Sequence, residues 1–255
     1  ALIMLAAAGL ALAWGHDRAR NGGLPAVADW RNDHWDGGGP ADPDARLVTR
    51  HLSLLKRPAV WILALSSALA YVTRYAINSW GVLYLQEARG LSLPAAGAML
   101  FASTLAGMAG SVAYGFISDR LFAARRPPAN LLFGAMEVAG LLLVFYGPTN
   151  IWALGAGMLL FGLGMTGLVT ALGGLFATDI CPKPVAGAVM GMIGVFSYLG
   201  AAIQEQTSGA LVQAGTTMIA GHRHYDFGPA ILVWIGASVA SLLLASTLWR
   251  VRPVD

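Results

Sequence analysis

The chain has 255 residues, of which 56% are hydrophobic and only 11% charged, with a formal net charge of +3. A soluble domain carries about 25% charged residues, so this composition excludes a soluble globular domain and indicates a polytopic membrane protein. The single cysteine, Cys181, excludes an internal disulfide framework, and the basic residues are scattered over loops rather than gathered into a nucleic-acid-binding patch.

Ala1 to Trp14 is apolar but shorter than the roughly 20 residues a spanning helix needs. It lacks the basic start and small-residue cleavage site of a signal peptide and leads into His16-Asp17-Arg18. We read 1–14 as the end of a truncated transmembrane helix, with the upstream part of the protein missing. Residues 15–57 are rich in Gly, Pro, Asp and Arg around Asp36-Gly37-Gly38-Gly39-Pro40, and read as a linker. Within it, Leu47 to Leu55 fits a short interfacial helix.

Six apolar stretches follow, near 58–85, 94–118, 129–147, 151–178, 185–213 and 228–249, and each is predicted to be a membrane-spanning helix. Pro and charged residues mark the breaks, among them Glu87 and Arg89, Asp119-Arg120, Arg125-Arg126-Pro127-Pro128 and Pro182-Lys183-Pro184. The last loop, His222-Arg223-His224-Tyr225-Asp226, is longer and polar. No strand pattern persists, so the expected fold is an all-α membrane bundle over 58–249, with a tail at 250–255. Gly187-x-x-x-Gly191, and the crowding of Gly162, Gly164 and Gly167, predict close helix–helix contact.

Lys and Arg set the expected orientation. With the linker in the cytoplasm, that side holds Arg18, Arg20, Arg31, Arg46, Arg50, Lys56, Arg57, Arg120, Arg125, Arg126, Lys183, Arg250 and Arg252, and the other side only Arg89 and Arg223. The bias predicts a cytoplasmic linker and a cytoplasmic C-terminus.

Arg74 breaks the first complete apolar stretch. It lies 16 steps from Pro58, roughly 24 Å along a helix, and so past the middle of a bilayer core about 30 Å thick. A guanidinium is permanently charged and costly at that depth unless it faces a bundle interior or a watery cavity. It requires an anion, either a substrate or a structural carboxylate such as Glu137 or Glu205.

The loop after the second complete stretch reads Gly115-x-x-x-Asp119-Arg120, followed by Arg125-Arg126. It resembles the conserved charged loop of the major facilitator superfamily, in which an acid at a helix end and nearby arginines form a network that changes with conformation. That loop follows the second and eighth helices of the superfamily, and a long polar linker joins its two six-helix halves. The resemblance implies that this chain is the C-terminal half of a twelve-helix fold, preceded by the end of helix six and the central loop.

Tyr71-x-x-Arg74-Tyr75-(x4)-Trp80 narrows the resemblance. With Gly23-Leu24-Pro25, Ser118-Asp119-Arg120-Leu121-Phe122 and Gly194-Val195-Phe196-Ser197-Tyr198-Leu199-Gly200, it is similar to the organophosphate:phosphate antiporters, which include glycerol-3-phosphate and hexose-phosphate transporters and a sugar-phosphate sensor. The resemblance implies that Arg74 binds phosphate, opposite a second arginine from an N-terminal half in cis. It places Tyr71, one turn before Arg74, and Tyr198 at the same site. The chain departs from the family at three positions. Ser79 replaces an acid, Thr104 a glutamate, and Gly167 a tyrosine common among glycerol-3-phosphate members. Glu205, in Gln204-Glu205-Gln206, is expected to replace a lost acid, contact a substrate hydroxyl or carry a proton, and Glu137 to lie peripheral to the cavity.

The sequence holds no Walker loop, paired cysteine ligands or G-x-S-x-G, and His222 and His224 read as solvated. The expected protein is therefore not an enzyme and needs no ATP, cofactor or metal. It is expected to be a monomeric, multi-pass inner-membrane antiporter that exchanges a phosphorylated metabolite for inorganic phosphate, with the lipid bilayer and no nucleic acid among its partners. The alternatives are a membrane sensor for sugar phosphate that signals to a histidine kinase, and a proton-coupled anion carrier using Glu205.

Overall fold

A computed structural model describes residues 57–123, 125–180, 183–219 and 222–250. The proposed terminal helix at 1–14, the linker at 15–56, Cys181 and the tail beyond Arg250 lie outside the described residues. Helix α1 runs Pro58–Glu87, α2 Leu93–Leu121 and α3 Arg126–Tyr146. Helix α4, Ile151–Thr170, passes through a π-helical turn at Ala171–Leu175 into α5, Phe176–Ile180. Helix α6 spans Lys183–Ala214 and α7 spans Gly228–Thr247, ending in a 3₁₀ turn at Leu248–Arg250. Among the described residues, six helical segments are long and apolar enough to cross a membrane, with α4 and α5 forming one of them.

Local chemistry places the ends. Proline occupies the first turn of α1, α2, α3 and α7, where the missing N–H has no helical partner to lose. Asn150 caps α4 by accepting a hydrogen bond from the Ala153 amide at 2.8 Å. Arg89, just after α1, donates to the terminal carbonyls of Val144 and Phe145 at the end of α3, at 2.7 and 2.6 Å. A cation there complements the negative end of the helix dipole.

The expectation of no strands is corrected in the last loop. Strands β1, Thr217–Ile219, and β2, His222–His224, pair antiparallel, with Met218 opposite Arg223. Three residues per strand are too few to leave a periodic signal.

Helices α2 and α3 both pack on α4, while α1 packs on α6 and α7. Two apolar cores result. One gathers Leu63, Tyr114, Phe133, Leu172 and Ile193, and the other Tyr84, Leu141, Phe145, Phe161 and Trp234. Between them runs a band of buried polar groups at mid-helix height. Ser66 bonds Ser241 across α1 and α7, Ser67 meets Ser197 of α6 at 2.8 Å, and Thr73 donates to the Trp234 carbonyl at 3.0 Å. Interhelical bonds of this kind contribute about 0.6–2 kcal/mol each in membrane bundles, where apolar burial alone does not draw helices together.

Small residues set how closely the helices approach. A Cβ at Gly162 would strike the Ser103 carbonyl, one at Gly164 the backbone of Phe133 and Glu137, and one at Gly167 the Phe133 ring. The predicted contact at Gly187 and Gly191 is not made among the described residues: neither has a neighbour there within 4 Å of an added Cβ, and both are exposed. Instead Gly200, nine residues beyond Gly191 in α6, presses on the Ala68 carbonyl of α1. The four-residue spacing marks a small face on a helix without saying what packs there.

Candidate functional site

Arg74 sits in the middle of the 30-residue helix α1, flanked by groups that helical periodicity brings to its side. Ile77 and Asn78, one turn on, join it along one edge of a cavity of about 220 Å³ whose other walls include Ser103 and Thr104 of α2 and Thr166 of α4. Asn78, Ser103, Thr104 and Thr166 thus give the cavity that Arg74 lines a polar share, beside the apolar Leu100, Met108, Phe161 and Met165. Among the described residues, Arg74 has no carboxylate within ion-pair distance. It lies against the Tyr71 ring, 5.4 Å from its centroid, a cation–π contact that offsets part of its desolvation.

Neither structural carboxylate weighed for Arg74 reaches it. Glu137 is fully buried and its Oε1 accepts from Ser238 of α7 at 2.6 Å. It is not among the residues lining the Arg74 cavity. Glu205 is half-buried and accepts a hydrogen bond from Ser79 of α1. The position where the resemblance lacks an acid therefore touches the extra acid of the neighbouring helix.

Tyr71 and Tyr198 do meet, with ring centroids 5.6 Å apart, and Tyr75 completes the group at 5.9 and 6.3 Å. Tyr198 is 61% exposed, so it borders the described bundle rather than filling its core. Tyr75 stands in the sequence motif around Arg74 but was not predicted as a site residue, although its place one turn after Tyr71 is the signal that finds it. Thr104, where the family has a glutamate, lines the cavity. Gly167 does not: it is pressed on Phe133 and the Gly110 carbonyl, so no tyrosine fits there, and Thr166 is the residue of that turn that faces the cavity.

The charged loop lies at the end of the bundle where α2, α3 and α5 meet. Arg126 Nε donates to Asp179 at 2.7 Å, and its Nη1 donates to Asp119 at 3.0 Å and to Ser118 at 2.9 Å. The predicted set divides here. Asp119 and Arg126 form the network, whereas Arg120 lies over Phe116 and Arg125 over Trp249, at 5.5 and 5.8 Å. Gly115 has open space beside it. Asp179 and Ser118 were missed as network members, though an acid at the end of an apolar span, as Asp179 is, marks such a position. Ala123, in the same loop, adopts a left-handed φ of 51°, which is strained for a residue with a Cβ.

A mid-span cation, a charged helix-end network and six membrane-length helices form a combination that can be compared with known proteins. The sequence profile of the Major Facilitator Superfamily matches residues 1–204. The chain belongs to the major facilitator superfamily. It is a multi-pass membrane protein, and membership of this superfamily points to transport rather than enzymatic chemistry. It is 34% identical over 208 residues to the membrane sensor protein UhpC of Escherichia coli, covering 76% of this chain and 45% of that protein. It is 32% identical over 197 residues to the glycerol-3-phosphate transporter of Bacillus subtilis, covering 72% and 42%. A probable hexose phosphate transport protein of Chlamydia muridarum is 28% identical over 214 residues, covering 77% and 46%. The chain spans about half the length of the curated relatives it matches, and aligns with about their C-terminal half.

Proposed function

We propose that this chain forms the C-terminal half of a transporter that exchanges a phosphorylated small metabolite for inorganic phosphate across the inner membrane. Arg74 carries the reading. It is a permanent cation at mid-span with no carboxylate partner among the described residues, in a cavity bordered by hydroxyls. The planar guanidinium fork matches phosphate oxygens in pairs. Tyr71 holds the fork from one side, and Tyr198 and Tyr75 extend the site toward an N-terminal half in cis, which supplies a second arginine. Alternating access follows from rocking of the two halves about this midplane site. The network of Asp119, Arg126 and Asp179 clamps the cytoplasmic ends of three helices in one of the two states. The excess of Lys and Arg on that side supports a cytoplasmic linker and C-terminus.

Proteoliposomes containing the full-length protein, with both halves, test this reading by uptake of labelled inorganic phosphate against internal phosphate or phosphorylated metabolites. Arg74→Lys keeps the charge and loses the fork, and is expected to reduce exchange by at least about 100-fold. Wild-type exchange in that variant would refute the role of Arg74.

The similarity to a membrane sensor supports a second reading, in which the same residues bind sugar phosphate and the protein signals rather than transports. Measurable binding of sugar phosphate without exchange for any internal anion, together with a histidine-kinase gene beside this one, would favour the sensor. A proton-coupled carrier using Glu205 is the third reading, and it requires Glu205→Gln to abolish exchange.

A further inference from the structure

Glu137 lies near the middle of α3 and is fully buried. Helix α4 presses on its backbone, since a Cβ at Gly164 would strike the Glu137 amide and Cα. One turn to either side, Phe133 and Leu141 belong to the two apolar cores. The carboxyl group meets α7, where Ser238 Oγ lies 2.6 Å from Oε1. Oε2 is shielded from solvent and has no hydrogen-bond partner among the described residues. Nor does any cation among them form an ion pair with Glu137.

The elements packed on α3 account for that isolation. Helices α4 and α7 contain no titratable or charged residue. Those of α2 are Tyr114, Asp119 and Arg120. Tyr114 bonds Asn130 and Asp119 bonds Arg126, so they sit by the first turns of α3, and Arg120 lies over Phe116. The 3₁₀ turn that holds Arg250 meets the same end, because Arg125 lies over its Trp249. Arg126 itself is 11 residues from Glu137, about 16 Å along the helix. At the other end, Arg89 donates to the Val144 and Phe145 carbonyls, at least seven residues on and so about 10 Å away.

An ionised carboxylate taken out of water needs a cation or several donors to replace its hydration. Glu137 has one hydroxyl. We propose that Glu137 is a proton-binding site: the folded bundle holds it as a neutral carboxylic acid, and the bound proton is what allows it to tie α3 to α7. The acid and the Ser238 hydroxyl share one hydrogen bond, which either group can donate across the 2.6 Å. In the neutral acid, Oε2 is an unpaired polar atom and not half of a buried charge. Ionised, the same group would bring a net charge into the apolar contact of α3, α4 and α7 and open it. The tie reaches toward the centre of the bundle. One turn before Ser238, the Trp234 carbonyl accepts from Thr73, the neighbour of Arg74. A neutral Glu137 also leaves the two mid-span ionisable groups without competition, because it offers Arg74 no negative charge.

The test is infrared spectroscopy of the full-length protein in lipid vesicles at neutral pH, with the glutamate carboxyl carbons labelled with carbon-13. The label identifies glutamate bands, and a neutral carboxyl group absorbs apart from a carboxylate. The expected result is a neutral-carboxyl band that is lost in Glu137→Gln. In Ser238→Ala, which removes the hydrogen bond and keeps the acid, the band is expected to persist at higher frequency. Glu137→Gln, an uncharged group of the same size, is expected to unfold at the wild-type temperature. Loss of carboxylate intensity alone in Glu137→Gln overturns the proposal, because the group is then ionised and paired outside the described residues. An unshifted neutral band in Ser238→Ala overturns the tie to α7, and that variant decides the matter if Glu137→Gln does not fold. The spectra are recorded without substrate, so they stand whether or not phosphate exchange is observed.

Discussion

Arg126 at the end of the bundle and Arg74 in its middle are both half-buried arginines with opposite surroundings. Arg126 spends its donors on Asp119, Asp179 and Ser118 and ties together the ends of α2, α3 and α5. Arg74 has a tyrosine ring, nearby hydroxyls and no carboxylate among the described residues. The same functional group therefore contributes differently in the two places. The charge of Arg126 is neutralised within the fold and serves to hold helices. The charge of Arg74 has no carboxylate partner among the described residues, and in the function proposed above an anion supplies one.

The largest effect that separates the two concerns activity. Arg74→Gln should reduce phosphate exchange by at least about 100-fold, yet the purified variant should unfold at no lower temperature than wild type, because a charge costly at mid-span has gone. A clear loss of thermal stability would show Arg74 to be a structural residue after all. Arg126→Gln should do the reverse to stability, costing about 2–3 kcal/mol by leaving Asp119 and Asp179 without their cation. A double-mutant cycle with Asp179→Asn should return a coupling energy of about 1–3 kcal/mol, and additivity would mean the two residues do not act as a pair. Beside that network, Ala123→Gly should raise stability by about 1 kcal/mol by relieving the left-handed backbone, as measured by thermal unfolding. Smallest of all, Glu205→Gln should change phosphate exchange by less than about twofold, since a neutral amide still accepts from Ser79. Abolished exchange in that variant would move the coupling chemistry from Arg74 to Glu205.

Much of the arrangement was legible in sequence because membranes impose simple rules. A stretch of about 20 apolar residues must be helical to satisfy its own backbone, so the six spans follow from hydropathy and their ends from proline and charge. Arg74 stood out because a cation at that depth requires a reason. The partners were harder to read. Asp179 lies 53 positions from Arg126, and Ser79 lies 126 from Glu205. No local pattern predicts which helix faces which, and Gly187 and Gly191 show that a packing motif can lack a partner within the described bundle. Strands β1 and β2, three residues each, are too short to give a periodic signal, yet they pair and set Met218 opposite Arg223.

Composition and hydropathy by themselves determined that this protein is a helical membrane bundle, where its spans begin and end, and which cation is out of place in them. These are properties of single segments in a low-dielectric solvent. Which carboxylate answers which arginine was decided only by tertiary packing, through the close approach of α2 and α3 to α4 and of α6 and α7 to α1. Charge pairing depends on distances of a few ångströms between helices far apart in the chain, and those distances are set by the small and polar side chains at the contacts.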